Sequence, residues 1–131
     1  MPRGAWHLGE ILGSLPELGR CREDAGHARR ALLWGTEKVY EAASTVAAFA
    51  AHRGAAVKVV DGANAFDPYM ISLYAVKRGL APQELLRHVR VARAFTCYQL
   101  ATLVCERLAD AAPGERALVV LLGPCTTFFD E

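Results

Sequence analysis

Apolar positions along this chain recur with two periods, and the switches between them mark its elements. Ala31-Leu32-Leu33-Trp34 is a short apolar run stopped by Gly35, which reads as a buried strand. From Val39 to about His52 the sequence is rich in Ala and Val among good helix formers, and Gly54 follows where a helix C-terminus favours glycine. Ala56-Val57-Lys58-Val59-Val60 is β-branched and ends at Asp61-Gly62, a second strand. Asp67-Pro68 opens a helix from Tyr69 to Lys77, with Pro in the first turn and Gly79 closing it. Pro82 opens a short helix from Gln83 to about Arg87. Val89 to Ala94 alternates apolar and basic residues as a third strand. Thr96 caps a longer helix to about Ala109, on which Leu100, Leu103 and Leu108 share helical spacing. Pro113-Gly114 makes a turn, and Ala117-Leu118-Val119-Val120-Leu121-Leu122 is the clearest buried strand, ended by Gly123-Pro124.

Apolar strands alternating with helices imply right-handed crossovers and a parallel sheet covered on both faces. The expected fold is therefore a three-layer α/β domain over residues 31–131, preceded by a helical or irregular segment over residues 1–30 that is broken by Gly13 and Pro16.

Composition narrows the class. With 131 residues, 53% hydrophobic and 22% charged, the chain makes one domain with a core of its own. No apolar run approaches the roughly 18 residues of a membrane span, and Met1 to His7 carries no signal-peptide pattern. The expectation is a soluble, cytoplasmic protein without membrane partners. The formal charge of +1 lacks the basic excess that announces many nucleic-acid binders. One local cluster stands out, Arg87, Arg90 and Arg93 within Arg87-His88-Val89-Arg90-Val91-Ala92-Arg93. It reads either as a solvated helix end and strand start or as a DNA-contacting patch.

Cys21, Cys97, Cys105 and Cys125 form no C-x-x-C pair, and His7, His27, His52 and His88 add no metal-ligand spacing. No metal site is expected. Cys97 and Cys105 would stand about 12 Å apart along one helix, too far for a disulfide. Apolar surroundings suggest reduced, buried thiols at Cys97, Cys105 and Cys125. Cys125-Thr126-Thr127 could suggest a nucleophile, but no His follows a strand end to serve as its base.

In open α/β sheets ligands bind beyond the carboxyl ends of the strands. The segments there are Gly35 to Ala42, Asp61 to Tyr69, Phe95-Thr96-Cys97, and Gly123 to Glu131. In this order they resemble the ATPase core of the RecA-like recombinases, especially the archaeal RadA and RadB branch. Val91-Ala92-Arg93-Ala94-Phe95-Thr96, followed by Gln99, is similar to that family's A-R-A-F segment. Val59-Val60-Asp61 through Phe66 and Pro68 is similar to its strand and loop behind the nucleotide. Val119 to Phe129 is similar to its second nucleotide-binding strand and the loop beyond. The resemblance implies a RecA-like P-loop NTPase fold without its C-terminal part, since the family's further strands and two DNA-contacting loops have no counterpart after Glu131.

The family's catalytic residues are replaced one by one. Its phosphate loop follows the first strand as G-x-x-x-x-G-K-[ST]; glycine amides cradle phosphates, the lysine reaches the terminal phosphates and the hydroxyl holds magnesium. Gly35 matches the first glycine, but Tyr40 stands at the second, Glu41 at the lysine and Ala42 at the hydroxyl. A shifted register through Lys38 lacks the following Gly and Ser/Thr. The catalytic glutamate falls at Ala63, and the acidic end of the magnesium-associated strand at Gly123. Asp61 is retained, and its own residue-level reading is a strand-ending carboxylate that caps its turn.

A degenerate nucleotide site is thus expected over Gly35, Thr36, Lys38, Tyr40, Glu41 and Asp61, with no cofactor unless the loop still accepts ATP and magnesium. The resemblance implies a non-catalytic adaptor or oligomerising component in DNA repair or recombination. The alternatives are a residual ATP-binding protein and a DNA-binding module using Arg87–Arg93. In the family, the A-R-A-F strand and following helix form a shallow apolar pocket that receives a neighbour's anchor. The matching interface positions are Val60, Ala92, Ala94 and Leu103, with Trp6 as a candidate anchor, which implies a homo-oligomer or a protein partner.

Overall fold

The computed structural model describes residues 32–108 and 117–124. The expectations for residues 1–30, including Trp6 and Cys21, for the turn at Pro113-Gly114, and for Cys125 to Glu131 fall outside the described residues. The described elements, in chain order, are α1 (Lys38–His52), β1 (Ala56–Asp61), α2 (Pro68–Lys77), α3 (Pro82–Leu86), β2 (Val89–Arg93), α4 (Cys97–Thr102) continued by a π-helical turn (Leu103–Arg107), and β3 (Ala117–Leu122).

Three parallel strands form one sheet in the order β2-β1-β3. Alternation along β1 sends Val57, Val59 and Asp61 to one face and Lys58 and Val60 to the other. The first face carries the larger core, where Val57 and Val59 pack with Ala47, Ala48 and Ala51 of α1, Ile71 and Tyr74 of α2, Leu85 of α3, and Phe66. Alanines at most inward positions of α1 let its backbone lie close to the sheet. The second face carries a smaller cluster of Val60, Ala94 and Leu100, with Leu103 and Leu108 packed against it. Helices therefore cover both faces, giving a three-layer α/β unit. The connection from β1 to β2 passes over the first face and the one from β2 to β3 over the second. Because both the face and the direction reverse, the two crossovers share one hand.

Local chemistry sets the element ends. The Asp67 carboxylate accepts the Tyr69 amide at 2.9 Å, and Pro68 fills the first turn of α2, where no amide partner is needed. Thr96 Oγ1 accepts the Gln99 amide at 3.1 Å, while Gln99 Oε1 accepts the Phe95 amide at 2.8 Å, a reciprocal cap on α4.

Three expectations are corrected. Leu32 to Trp34 forms no strand: Leu32 and Trp34 are 78% and 82% exposed, and no described strand pairs with them. An apolar run of four residues carries no periodicity that separates a strand from a loop. The last helix is regular only to Thr102 and then widens. The physical reason is the five-residue step from Leu103 to Leu108, which keeps both leucines against the sheet when a turn takes the i→i+5 pattern. Consequently Cys105 is exposed rather than buried, and Cys97 is half-buried. Among the described residues no helix is long and apolar enough to cross a membrane.

At the opposite end of the helix layer, Tyr74 is buried against α1, with its hydroxyl 3.3 Å from His52 Nδ1 and the Arg78 guanidinium 3.6 Å from its ring centroid. Burial raises the Tyr74 pKa above 10.0, against the lowering pull of Arg78 and Arg53. A raised tyrosine pKa means that folding favours the neutral phenol. Its contribution to stability is thus complete below the unfolded value and declines as pH rises through the folded one. Denaturant titrations above pH 10 are expected to show falling stability that Tyr74→Phe flattens; an identical pH slope in the variant contradicts the assignment.

Candidate functional site

The carboxyl ends of β1 and β2 and the amino end of α1 meet at one end of the sheet. Their junction is organised by Asp61, the last residue of β1, which is fully buried. Its Oδ1 accepts the amides of Ala63 at 3.1 Å and Ala65 at 3.2 Å, and its Oδ2 accepts the Phe66 amide at 2.8 Å. Arg93, the last residue of β2 and the register partner of Asp61, closes the loop from the other side. Its guanidinium donates to Asn64 Oδ1 at 2.6 Å and to the Phe66 carbonyl at 2.9 Å, and its Nε lies 4.0 Å from Asp61 Oδ2. Asn64 takes a left-handed conformation, φ 52°, that asparagine tolerates better than most residues. Gly62 sits against the end of β3, donating its amide to the Leu122 carbonyl at 2.8 Å.

Beside this loop lies an open cleft of about 460 Å³, lined by Glu37, Tyr40, Glu41, Ser44, Ala63, Ala65, Asp67 and Met70. Glu37, Glu41 and Asp67 bring three carboxylates, and none of the lining residues is basic. The Ser44 hydroxyl donates to the Tyr40 carbonyl at 3.2 Å. The amides of Val39 and Tyr40 are engaged by the carbonyls of Thr36 and Glu37, each at 3.0 Å. A negatively lined cleft repels a triphosphate rather than attracting it. Among the described residues no group of His, Cys, Asp or Glu is arranged to hold a metal ion.

The nucleotide candidates thus divide. Tyr40 and Glu41 line the cleft; Gly35, Thr36 and Lys38 are exposed and do not line it. Asp61 lies behind the cleft wall, wholly engaged by its own loop. The residues alone did not single out Glu37, Ser44 or Met70, and gave Asp67 as a helix start and a possible carboxylate partner of Asp61 rather than a cleft residue. The four-residue step from Glu37 to Glu41 places two acids on one side of a helix start, a signal present in the sequence. Only the fold brings Asp67 to them.

The interface candidates divide too. Val60 and Ala94 are buried beneath the chain's own α4, whereas Ala92 and Leu103 are half-buried. β2 is an edge strand of the described sheet, and Phe95 and Tyr98 beyond it are 67% and 78% exposed. Of the DNA candidates, Arg87 and Arg90 are exposed at the start of β2, while Arg93 is held in the loop network at the other end. Compared with known proteins, the sequence matches no family model and no curated protein.

Proposed function

We propose that this chain is a non-catalytic domain of the RecA-like class that acts through protein contacts, as an adaptor or oligomerising component in DNA repair or recombination. The observation that carries the reading is the acidic lining of the cleft at the amino end of α1. Where the resembling family needs glycine amides, a lysine and a hydroxyl, this chain presents Glu37, Glu41 and Asp67, and Val39 and Tyr40 amides already engaged. The same lining disfavours residual ATP binding. Support for a contact role comes from the place of β2 at the edge of the described sheet, with half-buried Ala92 on the strand and exposed Phe95 after it. Exposed aromatic side chains of this kind serve as anchors in interfaces.

Equilibrium titration with ATP is expected to show no saturable binding, with or without magnesium, and no hydrolysis above background. Preorganised charges in such sites are each worth a factor of about a hundred or more in rate. Sedimentation velocity is expected to show concentration-dependent association that Ala92→Glu and Phe95→Ala weaken while circular dichroism stays native. Turnover that disappears on Glu41→Ala overturns the non-catalytic reading. A wild type that stays monomeric, with both variants retaining every partner captured by the wild type, overturns the contact role.

A further inference from the structure

Strand β3 ends the described sheet on the side away from β2. Its Leu122 carbonyl accepts the amide of Gly62, just after β1, at 2.8 Å and so points towards β1. Along a strand the direction of the backbone groups alternates from residue to residue, as the side chains do. Leu118, Val120 and Leu122 therefore turn their amides and carbonyls to β1, while Ala117, Val119 and Leu121 turn theirs outward. The same three residues have Ala56, Lys58 and Val60 as register partners, which puts their side chains on the second face of the sheet. All three are exposed, Val119 at 46% and Leu121 at 41%. The second-face cluster of Val60, Ala94 and Leu100 thus stops short of β3 among the described residues.

An apolar strand edge is a template for another strand, and folds commonly blunt such edges with charge, proline or a bulge. The other described edge, β2, carries Arg90 and Arg93. β3 carries none of these protections. It has no charged residue and no proline, and its register with β1 runs unbroken from Ala117 to Leu122. Outward backbone groups and exposed apolar side chains fall on the same three residues, which is what strand addition requires: main-chain bonds for affinity and alternate side chains for fit.

We propose that β3 is an interface for a second copy of this chain, the two strands pairing antiparallel about a two-fold axis at Val119. The strand is complementary to itself. Opposed residues of an antiparallel pair exchange both hydrogen bonds when their backbone groups point at one another. An axis at Val119 satisfies all three outward residues at once, with Val119 against its own copy and Ala117 against Leu121. On the exposed face a small side chain then opposes a large one, and valine opposes valine; on the first face Leu118 opposes Val120. No charge meets a like charge. The contact uses up both β3 edges, so it closes at two copies, with one continuous sheet running through the pair. It stands apart from the contact role proposed above, which uses the β2 side, so either can fail without the other.

The test is sedimentation equilibrium of the full chain carrying Phe95→Ala, which removes the exposed β2-side aromatic, over concentrations up to about 1 mM. A reversible monomer–dimer equilibrium is expected. Adding Val119→Lys sets two like charges against each other on the axis and should raise the dimer dissociation constant about tenfold or more. Val119→Glu should do the same, and mixing the Lys and Glu variants should restore a dimer, because the axis places each against the other. Val119→Pro should also abolish pairing with circular dichroism still native, since the amide it removes points outward and not into the ladder with β1. It keeps the test decisive if the charged variants do not fold. Val76→Lys, on α2 over the first face, should stay within about twofold of the parent. A parent that stays monomeric at about 1 mM overturns the proposal, whether another part of this chain covers β3 or a different partner takes it. So does a dimer that Val119→Lys and Val119→Pro leave unchanged, an equal loss in Val76→Lys, or a folded Lys–Glu mixture that stays monomeric.

Discussion

Asp61→Ala is expected to unfold the domain or bring it close to unfolding. The carboxylate is fully buried, accepts three backbone amides and stands beside the Arg93 guanidinium. Removing it leaves the amides of Ala63, Ala65 and Phe66 without their acceptor, the last of them fully buried, and takes the carboxylate from beside Arg93. Losing three hydrogen bonds to one charged group, two of them partly open to solvent, costs about 3–5 kcal/mol, a large share of the total of about 5–15 kcal/mol that holds a domain together. Asp61→Asn keeps the shape but turns one acceptor oxygen into a donor facing backbone N–H, so an intermediate loss is expected. Urea unfolding monitored by circular dichroism measures both. An Asp61→Ala protein within about 1 kcal/mol of wild type contradicts the account of the loop as a carboxylate-centred structure.

The second large effect is expected at Gly62. A Cβ built there would sit 2.8 Å from the Gly123 carbonyl oxygen and 3.2 Å from that of Leu122. Both neighbours are backbone, so neither can swing aside as a side-chain tip would. The loop cannot retreat cheaply either, because the Gly62 amide bonds the Leu122 carbonyl and the residues after it hang on Asp61. Gly62→Ala is expected to cost about 1–3 kcal/mol, and Gly62→Val more. The same urea measurement checks it: a wild-type midpoint in Gly62→Val would show that β1 and β3 separate more easily at this end than their register implies.

These two residues also mark how far residue reasoning reaches. Asp61 can be recognised in the chain as a strand-ending carboxylate followed by turn residues, and its capping role follows from that position. The need for glycine at position 62 cannot, because the obstructing atoms belong to Leu122 and Gly123, brought alongside only when β3 takes its place beside β1. Arg93 shows the same limit. In sequence it belongs with Arg87 and Arg90, and alternation alone makes it a candidate contact for DNA. In the fold it bonds Asn64 across 29 positions of chain and works inside the loop. Leu32 to Trp34 erred in the other direction: the residues have strand character, but no described neighbour offers them a ladder.

The sequence by itself determined the elements whose signals are local. A run of β-branched residues and an Asp67-Pro68 or Thr96 start each act within one or two turns of chain, where steric preference and nearby hydrogen bonds dominate. From their alternation also followed the parallel, three-layer character of the unit, since strands separated by helices have few other ways to bury their apolar faces. Only the tertiary structure decided the strand order, the company that Asp61 and Arg93 keep, and the gathering of Glu37, Glu41 and Asp67 around one cleft. Those depend on which chain ends lie side by side once the sheet is assembled, and side chains distant in sequence acquire a common electrostatic field only when packing brings them there.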